Sequence, residues 1–279
     1  MTQSICLIGH GVWGKKIATC LQSFFPKVNL SIATRENYLE LAAQADGVII
    51  ATQPEFHISI ASEILSEQID KPLLIEKPLS LKMVELTQLE ILNPTNVIVD
   101  YIHLFSSAFD KIYQTLEVDR IVGIESIGRG QGPIRNYSSL WDYGVHDLAM
   151  SIWLTRGLPL PFLESRIINQ DQSEVFTFNL AYQNFDHKVT TGNFSPEVPR
   201  IRDFNISLRR GKSLRYYRVF ESGKDILLKN DKEQKISSKS ALENSIQNFL
   251  NLIDGKENVK RPGLAISQGI DSLVKQLLV

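Results

Sequence analysis

Gly9-His10-Gly11-Val12-Trp13-Gly14 sets three glycines at the spacing that lets backbone close around a phosphate. The first glycine permits a tight turn, the second lets the chain approach a pyrophosphate, and the third lets a helix pack close on a strand. Alone the pattern is weak. Here it joins an apolar strand, Ser4 to Ile8, to an amphipathic helix, Trp13 to Phe24, and that context points to a dinucleotide. The end of the second strand bears on which one. It reads Ser31-Ile32-Ala33-Thr34-Arg35, with no acid to hold a ribose 2′-hydroxyl. Thr34 can donate to a 2′-phosphate and Arg35 can pair with it, so NADP is expected in preference to NAD. The alternative is that Arg35 is a solvated residue at a helix start.

Three further clusters carry chemistry. Ala51-Thr52-Gln53-Pro54-Glu55-Phe56-His57 follows a buried strand and opens a helix, and Glu76-Lys77-Pro78 follows the next strand in the same way. Loops at the C-terminal ends of strands line the ligand crevice of an open α/β sheet. A lysine there can stabilise a developing alkoxide or carbonyl oxygen, although Lys77 taken alone reads equally as a surface turn residue. Asp142 and His146 in Trp141-Asp142-Tyr143-Gly144-Val145-His146-Asp147 are four apart, on one face at a helix start. His146 suits general acid–base work near neutrality, and Asp142 is also a reasonable helix N-cap.

The elements that must position these groups alternate in the first half. Strands are expected at 4–8, 30–33, 47–51, 72–75 and 96–99, and helices at 13–24, 36–44, 57–65 and 80–92, the last capped by Ser80. That alternation means a doubly wound parallel sheet. Beyond Asp100 come a helix at 107–116, a strand at 120–128, a Gly-rich polar loop at 129–140 and a helix at 144–154. Strand after strand then runs from 164 to 228, with turns at Gln183-Asn184, Ser195-Pro196, Gly211-Lys212 and Ser222-Gly223. Residues 230–235 read as an exposed loop, and His187 as part of a turn. Helices at 240–252 and 266–278 close the chain. The expected domains are 1–100, binding the dinucleotide, and 101–279, an α/β substrate and oligomerisation domain, with the last helices packing back on the first.

Bulk properties narrow the class. The 279 residues are 43% hydrophobic and 22% charged with a net charge of −1, which suits a globular protein with a real core. No basic surface for nucleic acid is expected. Cys6 and Cys20 lack metal-ligand spacing and read as buried, reduced thiols, so no metal is expected. No signal peptide or membrane span is apparent, and a cytoplasmic location is expected.

Together, Gly9-x-Gly11-x-x-Gly14, Ala51-Thr52-Gln53-Pro54-Glu55-Phe56-His57, Glu76-Lys77-Pro78 and Asp142-x-Gly144-x-His146 resemble the glucose–fructose oxidoreductase, inositol dehydrogenase and rhizopine catabolism (Gfo/Idh/MocA) family, in order and spacing along almost the whole chain. The resemblance implies an N-terminal Rossmann domain, a C-terminal α/β domain with a large, mostly antiparallel sheet, and a cis Lys77–Pro78 peptide. It implies hydride transfer between NADP or NAD and a hydroxyl or carbonyl carbon of a sugar, cyclitol or nucleotide-linked sugar. Lys77 and His146 would be catalytic, supported by Asp142. The dinucleotide would meet Gly9, Gly11, Val12, Trp13, Gly14, Thr34, Arg35, Thr52, Pro54, His57, Glu76 and Lys77. Relatives that reduce a C=N or tetrapyrrole bond, or that sense NADP without catalysis, give the alternatives; Lys77, Asp142 and His146 argue against the sensor.

The chain also departs from the pattern. Asp100-Tyr101-Ile102-His103-Leu104-Phe105 has Leu104 where the family often has Arg, which leaves His103 either as a crevice residue or as a satisfied histidine. Arg129, Arg135 and Tyr137 could read sugar hydroxyls or an anion, or be ordinary loop residues. The partner expected is a small molecule. Homo-oligomers would form through the C-terminal sheet, with Phe176, Phe178, Tyr216 and Tyr217 either at that interface or against the protein's own helices.

Overall fold

Short apolar runs bounded by Gly, Asp and Pro build the first sheet. The strands are β1 (Ser4–Ile8), β2 (Asn29–Ala33), β3 (Gly47–Ile50), β4 (Leu73–Glu76) and β5 (Val97–Asp100). They pair in parallel in the order β2-β1-β3-β4-β5. Every residue of β3, β4 and β5 is buried, as a parallel sheet covered on both faces requires. The order reverses between β1 and β3, so the chains leaving those strands diverge and open a crevice at their C-terminal ends. The structure, a computed structural model, describes residues 2–67, 71–92, 96–116, 120–130, 135–159, 165–170, 173–193, 199–257 and 259–278. None of its described helices is long and apolar enough to cross a membrane.

The helices of this unit are α1 (Val12–Phe24), α2 (Tyr38–Gln44), α3 (His57–Ser66) and α4 (Met83–Ile91). On α1, Gly14, Ile17, Ala18 and Leu21 form the buried face at helical spacing. α4 starts at Met83 rather than at the expected Ser80 cap, and its N-cap is Lys82. The Ser80 hydroxyl closes a local turn instead, accepting from the Lys82 N–H at 2.8 Å and donating to Glu85 at 2.5 Å. Two compact units result, Met1–Tyr101 with Leu242–Asp271, and Ile102–Ala241 with Ser272–Val279. The first thus includes nearly all of α7 (Ala241–Ile253) and the start of α8 (Leu264–Leu278). α7 lies directly on β3: a Cβ at Gly47 would stand 2.5 Å from Ile253 Cδ1 and 2.9 Å from Phe249 Cζ.

The second unit holds an eight-stranded sheet in the order β13-β12-β11-β10-β6-β9-β8-β7. Its strands are β6 (Ile121–Gly130), β7 (Ser165–Gln170), β8 (Ser173–Ala181), β9 (Asp186–Asn193), β10 (Ile201–Leu208), β11 (Lys212–Val219), β12 (Lys224–Lys229) and β13 (Lys232–Glu233). All pairs are antiparallel except β6 with β9. Period-two alternation sends Phe176, Phe178, Leu180, Val189, Phe204, Ile206 and Tyr216 into the core. There they meet α5 (Ser107–Thr115) and α6 (Val145–Thr155), as in the edge-to-face contact of Phe109 with Phe204 at 6.0 Å. Phe176, Phe178 and Tyr216 are therefore buried in the unit's own core and are not exposed for an interface. The opposite face is polar, with ion pairs Lys188–Glu125 at 3.5 Å and Arg215–Asp203.

Two expectations are corrected here. Lys232–Glu233 extends the sheet edge as β13 instead of looping out, because the turn at Asn230-Asp231, both at positive φ, folds the chain back on β12. His187 is in β9, not in a turn, and is fully buried between Ser151 Oγ and Ser126 Oγ, each at 2.9 Å. Burial pushes its pKa down to about 3, so it bridges the two hydroxyls as a neutral ring. The expected turn at Ser195-Pro196, and residues 131–134 of the expected polar loop, lie outside the described residues.

One buried ion pair anchors α6 to the sheet. Arg202 Nη1 donates to Asp147 Oδ1 at 2.6 Å, and both side chains are almost wholly buried. Gly128 makes the room, since a Cβ there would fall 2.5 Å from Asp147 Oδ2. Breaking such a pair strands a charge in the core. Arg202→Met is expected to destabilise the unit by about 3–5 kcal/mol in urea unfolding, and Arg202→Met with Asp147→Leu to regain most of that.

Candidate active site

The glycine loop joins β1 to α1, and its three glycines differ in what requires them. Gly9 has φ +97°, and a Cβ on it would lie 2.5 Å from the Ala51 carbonyl oxygen. A Cβ on Gly14 would lie 2.0 Å from the Gly9 carbonyl oxygen. Both are demanded by the protein's own backbone. Gly11 is not: it is the N-cap of α1 with φ −73°, and a Cβ there meets nothing within 4 Å. No side chain caps this helix start, and its first turn contains no acid. The residues thus fit a pyrophosphate, with free N–H groups, the positive end of the helix dipole and a bare Cα facing open space. Val12, 81% exposed, stands at the same rim.

Around this loop the first unit gathers most of the expected dinucleotide residues. Thr34 and Arg35 are exposed just past β2. The turn there is fixed by Asn37 Oδ1, which accepts from Thr34 N at 2.8 Å and from Thr34 Oγ1 at 3.2 Å. Glu36 shares the turn, and its carboxyl sits below the usual range, first through the Thr34 hydroxyl and also through Arg35. Thr52 and Pro54 lie past β3, where Pro54 opens a short 3₁₀ turn, Pro54–Phe56. His57 turns inward. Its Nδ1 is 2.9 Å from the Pro78 carbonyl and its Nε2 3.2 Å from the Thr52 carbonyl, so the ring sits between these two loops and its single N–H as a neutral imidazole donates to one of the two carbonyls. Burial, its largest influence, lowers its pKa. Lys77 is half-buried at the end of β4, and the Lys77–Pro78 peptide is cis.

Glu76 and Asp100 form a feature that sequence reasoning missed. They sit opposite each other at the ends of β4 and β5, both buried. The Trp13 indole N–H donates to Glu76 Oε1, and Ser245 Oγ on α7 donates to Asp100 Oδ1 at 2.8 Å. Burial raises both carboxyl pKa values, and the charge of Asp100 raises that of Glu76 further. The available signal was an acid closing the apolar run Val97-Ile98-Val99-Asp100, one residue beyond the expected strand end.

The second unit carries the residues expected to do acid–base work. His146 is buried in the first turn of α6, and its ring meets His103 edge-on, with centroids 4.9 Å apart at 86°. His103, in the 3₁₀ turn Ile102–Phe105, has Nδ1 2.9 Å from the Tyr216 hydroxyl. Tyr216 was not expected here; burial, its largest influence, raises its pKa. Asp142 does not cap α6. It lies in a π-helical turn, Leu140–Gly144, that precedes the helix. Its carboxylate pairs with Arg135 Nε at 3.5 Å, which joins two of the expected residues. Arg129 and Tyr137 are half-buried near the end of β6 and beyond the loop that follows it. Tyr143 packs where Gly130 leaves space, since a Cβ there would lie 1.9 Å from the ring.

No protein-family model matches the sequence, and no curated protein matches it either. Solved structures do match, over essentially the full length. A proposed oxidoreductase from Magnetospirillum magnetotacticum aligns with a TM-score of 0.83 at 19% identity, covering 99% of each chain. UDP-N-acetylglucosamine 3-dehydrogenase from Acidithiobacillus ferrooxidans aligns at 0.75 and 17%, covering 100% of this chain and 97% of that one. A myo-inositol dehydrogenase from Corynebacterium glutamicum aligns at 0.76 and 15%, covering 100% and 96%. The chain has the fold of the Gfo/Idh/MocA-type oxidoreductases. In this Gfo/Idh/MocA-type fold the Rossmann half carries the glycine loop and Lys77, and the large-sheet half carries His146, His103 and Asp142.

Proposed function

We propose that this protein is an NADP-preferring, NAD(P)-dependent oxidoreductase acting on a carbohydrate, cyclitol or nucleotide-linked sugar. The observation that carries this reading is Gly11, a glycine that the protein's own packing does not need and that a pyrophosphate does. The dehydrogenases of similar fold, which act on a nucleotide sugar and on myo-inositol, support the substrate class. The nicotinamide, when bound, accepts or supplies the hydride at the carbon bearing the hydroxyl or carbonyl. Lys77 holds the oxygen on that carbon by a charge-assisted hydrogen bond and stabilises its developing charge. His146 takes the hydroxyl proton during oxidation and returns it during reduction. Asp142 tunes this exchange, and His103, Arg129, Arg135 and Tyr137 hold the substrate's remaining polar groups.

The Thr34-Arg35 turn supports NADP. One charge-assisted bond to a 2′-phosphate contributes about 1.5–3 kcal/mol, or about tenfold to a hundredfold in affinity. Comparison of kcat/KM for NADPH and NADH over a panel of keto-sugars and keto-nucleotide-sugars is the test. NADPH is expected to win, and Arg35→Ala to cut NADPH use within that range while leaving NADH use unchanged. Better use of NADH by the wild type would overturn the preference, and no hydride transfer across the panel would overturn the activity.

A further inference from the structure

Asp100 Oδ2 is buried and no N–H or hydroxyl donor reaches it among the described residues. Its sister oxygen is served by Ser245, but a lone buried carboxylate oxygen is costly. What faces it is Glu76, the paired residue on β4. Two ionised carboxylates cannot share such a place. A protonated Glu76 supplies the missing O–H donor and removes the repulsion in one step. The chain of bonds then closes: Trp13 N–H to Glu76 Oε1, the Glu76 acid proton to Asp100, and Ser245 O–H to Asp100 Oδ1. Trp13 belongs to the phosphate loop and Lys77 is the next residue after Glu76, so this chain ties the loop to the lysine turn.

We propose that Glu76 and Asp100 share one proton, and that this proton positions the glycine loop for the dinucleotide. The coupling to ligand rests on the dinucleotide reading above; the shared proton does not. Among the described residues, Lys77 is the cation whose charge acts on Glu76, Trp13 on α1 and Ser245 on α7 are neutral, and the residues of β3 beside β4 are apolar. Loss of the proton would put a second negative charge beneath a loop that must accept the negatively charged pyrophosphate. It would also push the Glu76 carboxylate, with Trp13 attached, away from Asp100. The sign follows. Burial holds the proton on Glu76 above the ordinary carboxyl range, so dinucleotide affinity is full below the pair's second ionisation. Above it, binding requires proton uptake, and affinity falls by up to about tenfold per pH unit.

The test measures NADPH and NADH dissociation constants between mildly acidic and alkaline pH for the wild type, Glu76→Gln and Asp100→Asn. The NADH series removes any contribution from the 2′-phosphate. Infrared spectra of the same proteins report the carbonyl stretch of a buried protonated acid. The wild type is expected to show that band and an alkaline rise in both dissociation constants. In Glu76→Gln, whose amide N–H mimics the acid proton, the band and the rise should both vanish. In Asp100→Asn the pair no longer exists, and the alkaline rise should be lost as well. A wild type without the acid band, or a Glu76→Gln protein that keeps the alkaline rise, overturns the inference and leaves the dinucleotide reading standing. A wild type that has the band but binds neither dinucleotide at any pH overturns the dinucleotide reading and the coupling together.

Discussion

Lys77→Ala is expected to lower turnover by about 10²–10³-fold, the cost of deleting one donor aimed at a developing oxyanion. NADPH affinity should remain, because in the proposed reading the glycine loop holds the pyrophosphate through backbone rather than through this side chain. The site is built to place the lysine. β4 ends at Glu76, whose side chain is fixed to Trp13, and the Pro78 carbonyl sits against the His57 ring. The mutation therefore removes an ammonium from a turn whose backbone has other supports. kcat measured beside a direct NADPH titration separates the two effects. Unchanged turnover would remove Lys77 from the mechanism, and lost NADPH binding would make it a cofactor residue instead. His146→Ala should cost within the 10²–10⁴-fold range of general acid–base groups, again with NADPH binding kept.

Gly11→Val and Gly14→Ala should separate binding from folding within one loop. At Gly14 the added carbon would lie 2.0 Å from a carbonyl oxygen of the backbone, which no side-chain rotation relieves. Overpacking of this kind costs about 1–3 kcal/mol or more, so Gly14→Ala is expected to unfold at lower temperature. At Gly11 the backbone suits an L residue and the space is open, so Gly11→Val is expected to melt as the wild type does. It should nevertheless lose most of its NADPH affinity, since the branched side chain fills the pyrophosphate's place. Melting curves and NADPH fluorescence titrations on the two variants check the contrast. A Gly11→Val protein that binds NADPH normally would mean the loop is only a turn.

Much of this was legible from one sequence, for identifiable reasons. The parallel sheet announced itself because strands buried on both faces must be continuous apolar runs, as in Gly47-Val48-Ile49-Ile50. The glycine loop was legible because its chemistry is local. Asp142 was placed on the helix of His146 by a spacing argument, but a π-helical turn moved the start of α6 to Val145. Ser80 looked like a cap, yet it lies three residues before the helix and its hydroxyl is spent on the turn there. His187, Asp100 and Tyr216 were invisible as site or core polar groups because their partners are 36 to 145 residues away in sequence. Only the packing of helices and turns against the sheets brings such groups together, and a single sequence does not print that packing.

The most direct measurement of the central claim is an NADPH titration of the wild-type protein, read by nicotinamide fluorescence and by the melting temperature. Saturable binding at one site is expected, with stabilisation near 2.7 kcal/mol, about the value at a ligand concentration of roughly 100 times Kd. A protein that neither binds nor is stabilised by NADPH or NADH would contradict the account at its base.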